Sequence, residues 1–238
     1  MERLIYLFDV DGTLTPPMEK MEGGGAMRFL NWMKDKQVYI VAGSDKKKVN
    51  KQLPASVLFR VMGLFCSSAN ELWDQNTLVY KNDWNPHHDF LAYLSELYNS
   101  SHFTPKGKNF IEKRTGMINF SIVGREACME QREIYNKWDN KNKERQKFAS
   151  QIKSKFPDLE ACVGGQISID IYPKGQDKSQ ASMWVTQNLK KEMVFFGDKC
   201  QQGGNDFPIA NDIILRECGT YHNVKSYEHT LEILENKY

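Results

Sequence analysis

The sequence predicts an α/β protein in which a parallel-sheet core is interrupted by an inserted α+β segment. Three observations predict it. The apolar runs Leu4–Phe8, Val38–Ala42 and Met193–Phe196 are short, rich in aromatic and branched residues, and end at Asp or Gly, as buried strands do. Helical sequence follows each of them, and strand alternating with helix is the pattern of a parallel sheet. Between about Trp84 and Tyr172 that alternation gives way to a helix, two strands and a long charged helix, and then resumes.

Along the chain, Leu4–Phe8 delivers Asp9 at the carboxyl end of the first strand. Met27, Leu30 and Met33 recur at three-residue spacing, which predicts an amphipathic helix over Ala26–Lys36, with Gly23-Gly24-Gly25 fraying its start. Val38–Ala42 is the second strand, and Gly43-Ser44-Asp45 opens the next helix with a capping residue. In the middle segment strands are expected around Asn109–Glu112 and Met117–Ile122. One helix is expected from about Met129 to Lys155. Its alternating charges, Lys141, Lys143, Glu144 and Arg145, read as a solvated face. A strand at Ile167–Tyr172 closes the insertion. A helix follows Lys178, then the strand Met193–Phe196, and a terminal helix over the last ten residues or so. The expected domains are therefore a core of residues 1–82 and 175–238 and an insertion of residues 83–174.

Composition excludes several classes of function. The chain has 238 residues, 40% hydrophobic and 26% charged, which suits an ordinary globular protein able to bury a core. Its net charge of +2 argues against nucleic acid or an anionic membrane as partner. The apolar run at the N-terminus is too short for a signal peptide, and no stretch approaches the ~20 apolar residues of a membrane span. A cytosolic location is the expectation. Five cysteines without a Cys-x-x-Cys pair suggest neither a disulfide framework nor a zinc site, but reduced and mostly buried thiols.

The chemistry is concentrated in Phe8-Asp9-Val10-Asp11-Gly12-Thr13-Leu14-Thr15. Ligands of open α/β sheets bind beyond the carboxyl ends of the strands, which is where Asp9 falls. One carboxylate can attack phosphorus while the other moves a proton. Two acids so close repel unless a cation intervenes, and oxygen ligands favour Mg²⁺. Ser44, beyond the second strand, offers a hydroxyl to a phosphate oxygen. Lys178, at the start of a helix, can neutralise the nucleophile and the transferring group. Asp198, in Phe-Phe-Gly-Asp-Lys and followed by Gly203-Gly204-Asn205-Asp206, is the natural second metal carboxylate.

These residues, in this order, resemble the four motifs of the haloacid dehalogenase (HAD) superfamily. The resemblance implies a Rossmann-like parallel-sheet core with an inserted α+β cap. It also implies an aspartyl-phosphate on Asp9, general acid/base work by Asp11, and Mg²⁺ held by Asp9, the main-chain carbonyl of Asp11, and Asp198. Phe110–Arg125, Gly164–Asp170 and Gly197–Asp206 resemble eukaryotic-type phosphomannomutases in particular, and the similarity runs over nearly the whole chain. By that resemblance Arg114, Arg125 and Arg132 bind the phosphate that is not being transferred, Ser168 and Asp170 contact sugar hydroxyls, and Asn205 binds substrate. Guanidinium forks suit phosphate, and a hydroxyl with a carboxylate suits a sugar. The family further implies hexose phosphates as small-molecule partners, hexose 1,6-bisphosphate as activator, a role in supplying GDP-mannose synthesis, a homodimer formed through the cap, and hinge motion near Lys81–Asn85 and Tyr172–Gln176.

The chain departs from the family at several points. Met18 stands where an arginine is common, Ala69-Asn70-Glu71 replaces Glu-Asn-Gly, and Gln176 replaces a Trp. The stretch after Asn211, with Asp212, matches poorly where the family holds a second cation. The leading expectation is a phosphomannomutase. The alternatives are a sugar phosphatase or hexose-bisphosphatase, in which water takes the phosphoryl group, and a catalytically silent sugar-phosphate-binding protein. The silent protein is disfavoured because Asp9, Asp11, Lys178 and Asp198 are all present.

Overall fold

The computed structural model describes residues 4–238, so the first three residues of the expected core span 1–82 lie outside the described part. In chain order the elements are β1 (Ile5–Phe8), α1 (Gly23–Trp32), β2 (Gln37–Val41), α2 (Lys46–Gln52), α3 (Ala55–Arg60), β3 (Gly63–Cys66), β4 (Glu71–Asp74) and β5 (Thr77–Lys81). Then come α4 (His88–Ser100), β6 (Ile111–Arg114), β7 (Met117–Phe120), α5 (Met129–Asn142), α6 (Glu144–Lys155), β8 (Leu159–Gly164) and β9 (Ser168–Pro173). The chain ends with α7 (Ser179–Asn188), β10 (Met193–Gly197), α8 (Phe207–Leu215), β11 (Gly219–Asn223) and α9 (Tyr227–Lys237). Contacts divide it into two compact units, one running to Asn82 and resuming over Gly175–Tyr238, the other Asp83–Lys174.

The first unit is built on a seven-stranded sheet of order β11-β10-β1-β2-β3-β4-β5. The first five strands are mutually parallel and β4 and β5 add an antiparallel edge. Alternate residues of β1 feed opposite faces, as the pleat requires. Tyr6 and Phe8 pack with Phe29, Met33, Leu231 and Leu234, whereas Ile5 and Leu7 pack with Ala181, Val185, Ile209 and Ile213. Because β1 lies between β10 and β2 and is covered on both sides, the residue after it emerges at the centre of the carboxyl edge.

Three expectations need correction. The first helix starts at Gly23 rather than Ala26 and ends in a short 3₁₀ turn, Met33–Asp35. Gly25 lies against Tyr227 and Leu231 of α9, and a small residue there lets the two helices approach closely, so tertiary packing overrides propensity. Residue Asp45, not Ser44, caps α2, its Oδ1 accepting the Lys48 amide at 2.7 Å. The third correction lies in the inserted unit.

The second unit is a four-stranded antiparallel sheet, β6-β7-β9-β8, with α4, α5 and α6. Phe90, Leu94 and Leu97 of α4, Tyr135 of α5, and Phe148 and Ile152 of α6 form one core with Ile118, Phe120, Ile169 and Ile171 of the sheet. The expected single charged helix is two, broken at Lys143, whose φ of 57° is left-handed. Lys141 and Lys143 are exposed as expected, but Glu144 and Arg145 are buried. Arg145 pairs with Asp139 at 2.7 Å and donates to the carbonyls of Gly164 and Gly165, while Glu144 accepts from Ser101 Oγ. Asp139 lies six residues before Arg145 but off its helix period, and the other partners are distant in sequence, so a periodicity argument could not supply them. All five cysteines are free thiols. Cys66, Cys162 and Cys200 are buried, Cys218 is half-buried, and Cys128 is exposed.

A left-handed lysine at the helix break is strained by about 1 kcal/mol relative to glycine. Lys143→Gly should therefore raise stability by up to about 1 kcal/mol, and Lys143→Val should lower it. Chemical denaturation of the two variants checks this; equal midpoints would refute it.

Candidate active site

Four segments converge at the carboxyl edge of the first unit. Asp9 follows β1 directly and its amide donates to Phe196 O of β10 at 2.9 Å, which fixes the carboxylate beside the end of that strand. The chain then turns tightly, with the amides of Thr13, Leu14 and Thr15 donating to Val10 O. Gly12 sits at φ +86°, and a Cβ there would lie 2.7 Å from Asp198 Oδ2. Glycine is thus required both for the turn and for the close approach of Asp198, which follows β10.

Lys178 stands immediately before α7 and is 1% exposed. Its Nζ donates to Asp9 Oδ1 at 2.6 Å and to Asp206 Oδ1 at 2.5 Å. Asp206, just before α8, is fully buried and also accepts from the Lys199 amide. Asp9, Asp198 and Asp206 each present a carboxylate oxygen within 4.8 Å of the others. Burial pushes the Asp9 carboxyl up to about 7 against the pull of Lys178, with Asp206 and Asp198 adding to the rise. Burial raises Asp198 as well. For Lys178 burial acts downward, but Asp206 and Asp9 outweigh it and hold the ammonium firmly charged. Two buried carboxylates and the half-buried Asp198 face the Lys178 ammonium, with Lys199 Nζ a further 3.7 Å from Asp198 Oδ2, and the remaining excess of negative charge is one that a hard divalent cation would balance, so the donor set fits Mg²⁺.

Asp11 is engaged differently. Its Oδ1 accepts from the Met18 amide and from Gln52 Nε2, both at 2.7 Å, and its Oδ2 from Lys48 Nζ at 2.6 Å. Burial acts upward on this carboxyl, but Lys48 and these hydrogen bonds outweigh it and hold the group below the usual carboxylate range. Ser44 lies past the end of β2, the strand next to β1, and is buried. The Asn205 amide lies against Gly43, and its buried Oδ1 has no hydrogen-bond partner. Asp212 accepts from Ser182 Oγ and from Arg216 Nε.

The remaining candidates lie in the second unit. Arg114, on β6, donates to Glu112 Oε2 at 2.6 Å, and Arg125, in the loop after β7, forms an ion pair with the same oxygen, its Nε 2.8 Å away. Burial and the neighbouring Arg114 lower the Arg125 pKa. Arg132, on α5, is buried and donates to the main-chain carbonyls of Ala127 and Arg125 at 2.8 and 3.0 Å, bracing the loop that carries Arg125. On β9, Ser168 Oγ donates to Gly164 O, and Asp170 Oδ1 accepts from Asn119 Nδ2 at 2.5 Å. A Cβ on Gly164 would overlap the Asp170 carboxylate.

The structure thus brings Asp9, Lys178 and Asp198 together, places Ser44 on the neighbouring strand end, and groups Arg114, Arg125 and Arg132. Sequence reasoning missed Asp206, Lys48, Gln52 and Glu112. Asp206 lay within the glycine-rich cluster after Asp198 and carried no signal apart from it. Lys48 and Gln52 did carry one, since residues four apart share a helix face.

A model of the eukaryotic phosphomannomutase family matches residues 27–238. The phosphomannomutase of Saccharomyces cerevisiae is 36% identical over 97% of this chain and 92% of its own length. Phosphomannomutase 1 of Homo sapiens is 32% identical over 97% of this chain and 90% of its own length. Among solved structures, the IMP-nucleotidase of Plasmodium falciparum superposes with a TM-score of 0.63 at 16% identity, over 98% of this chain and 68% of that one. The sucrose-phosphatase of Synechocystis superposes with a TM-score of 0.58 at 13% identity, over 98% of its own length and 99% of this chain. At such identities these two speak for the fold alone, a parallel-sheet core with an insertion. With a family match over most of its length and relatives aligned nearly end to end, the chain belongs to the eukaryotic phosphomannomutase family.

Proposed function

We propose that this protein is a phosphomannomutase, interconverting mannose 6-phosphate and mannose 1-phosphate through a phosphorylated Asp9. The observation that carries the reading is the buried Asp9 carboxylate, bonded to Lys178 and flanked by Asp198 and Asp206. Asp9 attacks phosphorus. Lys178 neutralises the nucleophile and the incoming group, and Asp206 holds Lys178 in place. Asp11, held ionised, takes the proton of the sugar hydroxyl that attacks the aspartyl-phosphate, and gives that proton to the leaving sugar oxygen when Asp9 is next phosphorylated. Mg²⁺, held by Asp9, Asp198 and the main-chain carbonyl of Asp11, supplies charge neutralisation when bound. Ser44 and Asn205 contact the transferring phosphate. Arg114, Arg125 and Arg132 serve the other phosphate, and Ser168 and Asp170 the sugar hydroxyls.

The intermediate is hexose 1,6-bisphosphate, which also primes the enzyme as activator, and the product feeds GDP-mannose synthesis. A cytosolic homodimer joined through the inserted unit completes the proposal. Among the described residues no helix is long and apolar enough to cross a membrane. Met18, in place of an arginine, favours a second reading in which water takes the phosphoryl group and the protein is a sugar phosphatase.

The two readings part in one assay with mannose 1-phosphate, Mg²⁺ and a trace of hexose 1,6-bisphosphate. Isomerisation should exceed phosphate release, and Asp9→Asn should reduce turnover by about 10³-fold or more. Phosphate release without isomerisation would leave the phosphatase; turnover surviving in Asp9→Asn would remove Asp9 as nucleophile.

A raised carboxyl pKa favours the folded state below the unfolded value and loses that contribution as pH rises through the folded one. For Asp9 the window runs from the ordinary aspartate value of 3.8 to about 7. In chelator the protein should therefore gain stability on acidification from about pH 7.5 to about pH 5.5, by at most about 1.4 kcal/mol per pH unit per group. Excess Mg²⁺ should flatten that slope and raise the melting temperature. Thermal melts at several pH values check this; no Mg²⁺-dependent shift would count against a metal at these carboxylates.

A further inference from the structure

Glu112 and Arg114 are two residues apart on β6 and so share a face of the strand. Arg114 donates to Glu112 Oε2 through Nη2 at 2.6 Å and Nε at 3.1 Å, and Arg125 Nε lies 2.8 Å from the same oxygen. One carboxylate oxygen is thus held by two guanidinium groups, the arrangement by which arginines grip a phosphoryl oxygen. The Glu112 side chain is 37% exposed, against 11% for Arg114 and 23% for Arg125, so it is the most open member of the group.

We propose that Glu112 is the resident competitor of the phosphate site, occupying the Arg114–Arg125 pair until a substrate phosphate displaces it. The proposal rests on the reading of Arg114, Arg125 and Arg132 as phosphate ligands. Two adjacent guanidinium groups repel and need an anion between them. A phosphate monoester carries close to two negative charges near neutral pH and a carboxylate one, so phosphate wins the pair when present and Glu112 reclaims it when phosphate leaves. The displaced carboxylate is exposed enough to be solvated, which keeps the exchange cheap.

A mutase has a particular need for such an exchange. Its bisphosphate intermediate must be released from one grip and taken up again by its other phosphate in every cycle. Binding that is equally tight in all states lowers KM without raising kcat. A carboxylate that competes for the pair reduces the apparent phosphate affinity by the fraction of time it holds the site. A brace that merely orients the arginines would act in the opposite sense, since removing a brace weakens binding and removing a competitor strengthens it.

The test is calorimetric titration of the full-length protein with inorganic phosphate in chelator, where the acidic cluster around Asp9 has no metal to attract an anion. Glu112→Gln keeps the shape and removes the charge, and it should tighten phosphate binding by about tenfold. Glu112→Asp draws the carboxylate back by one methylene and should tighten it by less. It keeps the test decisive if the Gln variant does not fold. In the mutase assay Glu112→Gln should lower KM for mannose 1-phosphate and lower kcat with it. Unchanged or weaker phosphate binding in both variants would make Glu112 a brace and overturn the proposal. If Arg125→Met binds phosphate as tightly as the parent, the arginine pair is no phosphate site and the underlying reading fails instead.

Discussion

The buried ammonium of Lys178 is the constraint on which the first unit depends. A lysine that is 1% exposed can stay charged only beside carboxylates that are themselves desolvated, and here it has two, Asp9 and Asp206. The three residues come from the end of β1 and from the starts of α7 and α8, with 169 positions separating Asp9 from Lys178. The ammonium can be matched only if β1 and β10 pair in parallel and in register, Phe8 opposite Phe196, so that α7 and α8 begin at the same edge. Removing one partner from a buried ion pair is destabilising by about 3–5 kcal/mol, against a total stability of about 5–15 kcal/mol for a typical protein. The arrangement that prepares Asp9 for attack is therefore also a large share of what fixes the sheet order.

A common device runs through both units: oxyanion positions are preorganised by donors already paired with the chain's own carboxylates. Asp11 occupies the donors of Lys48, Gln52 and the Met18 amide, and Glu112 occupies those of Arg114 and Arg125. Asp170 is held by Asn119 over the bare Cα of Gly164. At Asp11 and Asp170 the donors stay with their carboxylate and fix its position, which is the condition under which electrostatic stabilisation is most effective, whereas at Glu112 they are the donors an arriving phosphate would take over. Arg132 and Arg145 contribute one step further out, by tying main-chain carbonyls near Arg125 and Ser168.

How much of this was legible in the sequence depends on the range of each interaction. The strands carrying Asp9 and Asp198 announce themselves through local apolar runs and were read to within a residue. β8 was missed because Leu159-Glu-Ala-Cys-Val-Gly164 mixes a charge and small residues into a short run. The break at Lys143 was missed because no Gly or Pro marks it; it is imposed by Asp139 and Arg145 closing on one another. Asp198 could be read from its strand, whereas Asp206 acquires meaning only through Lys178. Glu112 looked like one strand charge among several because its partner Arg125 approaches from another loop.

At Met18, Gln176 and Ala69-Asn70-Glu71 the contacts that frame the site follow a physical rule: each is made by main chain or by a neighbouring side chain. Met18 reaches Asp11 through its amide, and the cation beside that carboxylate is Lys48, so the Asp11 hydrogen bonds do not depend on the side chain at position 18. Gln176 accepts from Asn70 Nδ2 through its main-chain carbonyl, a bond that does not depend on its side chain. In Ala69-Asn70-Glu71, Asn70 is fully buried, donating also to Ser67 O and accepting from Gln180, while Ala69 takes the left-handed φ of 65° that its small side chain tolerates better than a large one. At these positions the site's frame thus rests mostly on main chain. The groups that could not be supplied by main chain, namely Asp9, Asp11, Lys178, Asp198 and Asp206, are those on which the charge balance of the site depends.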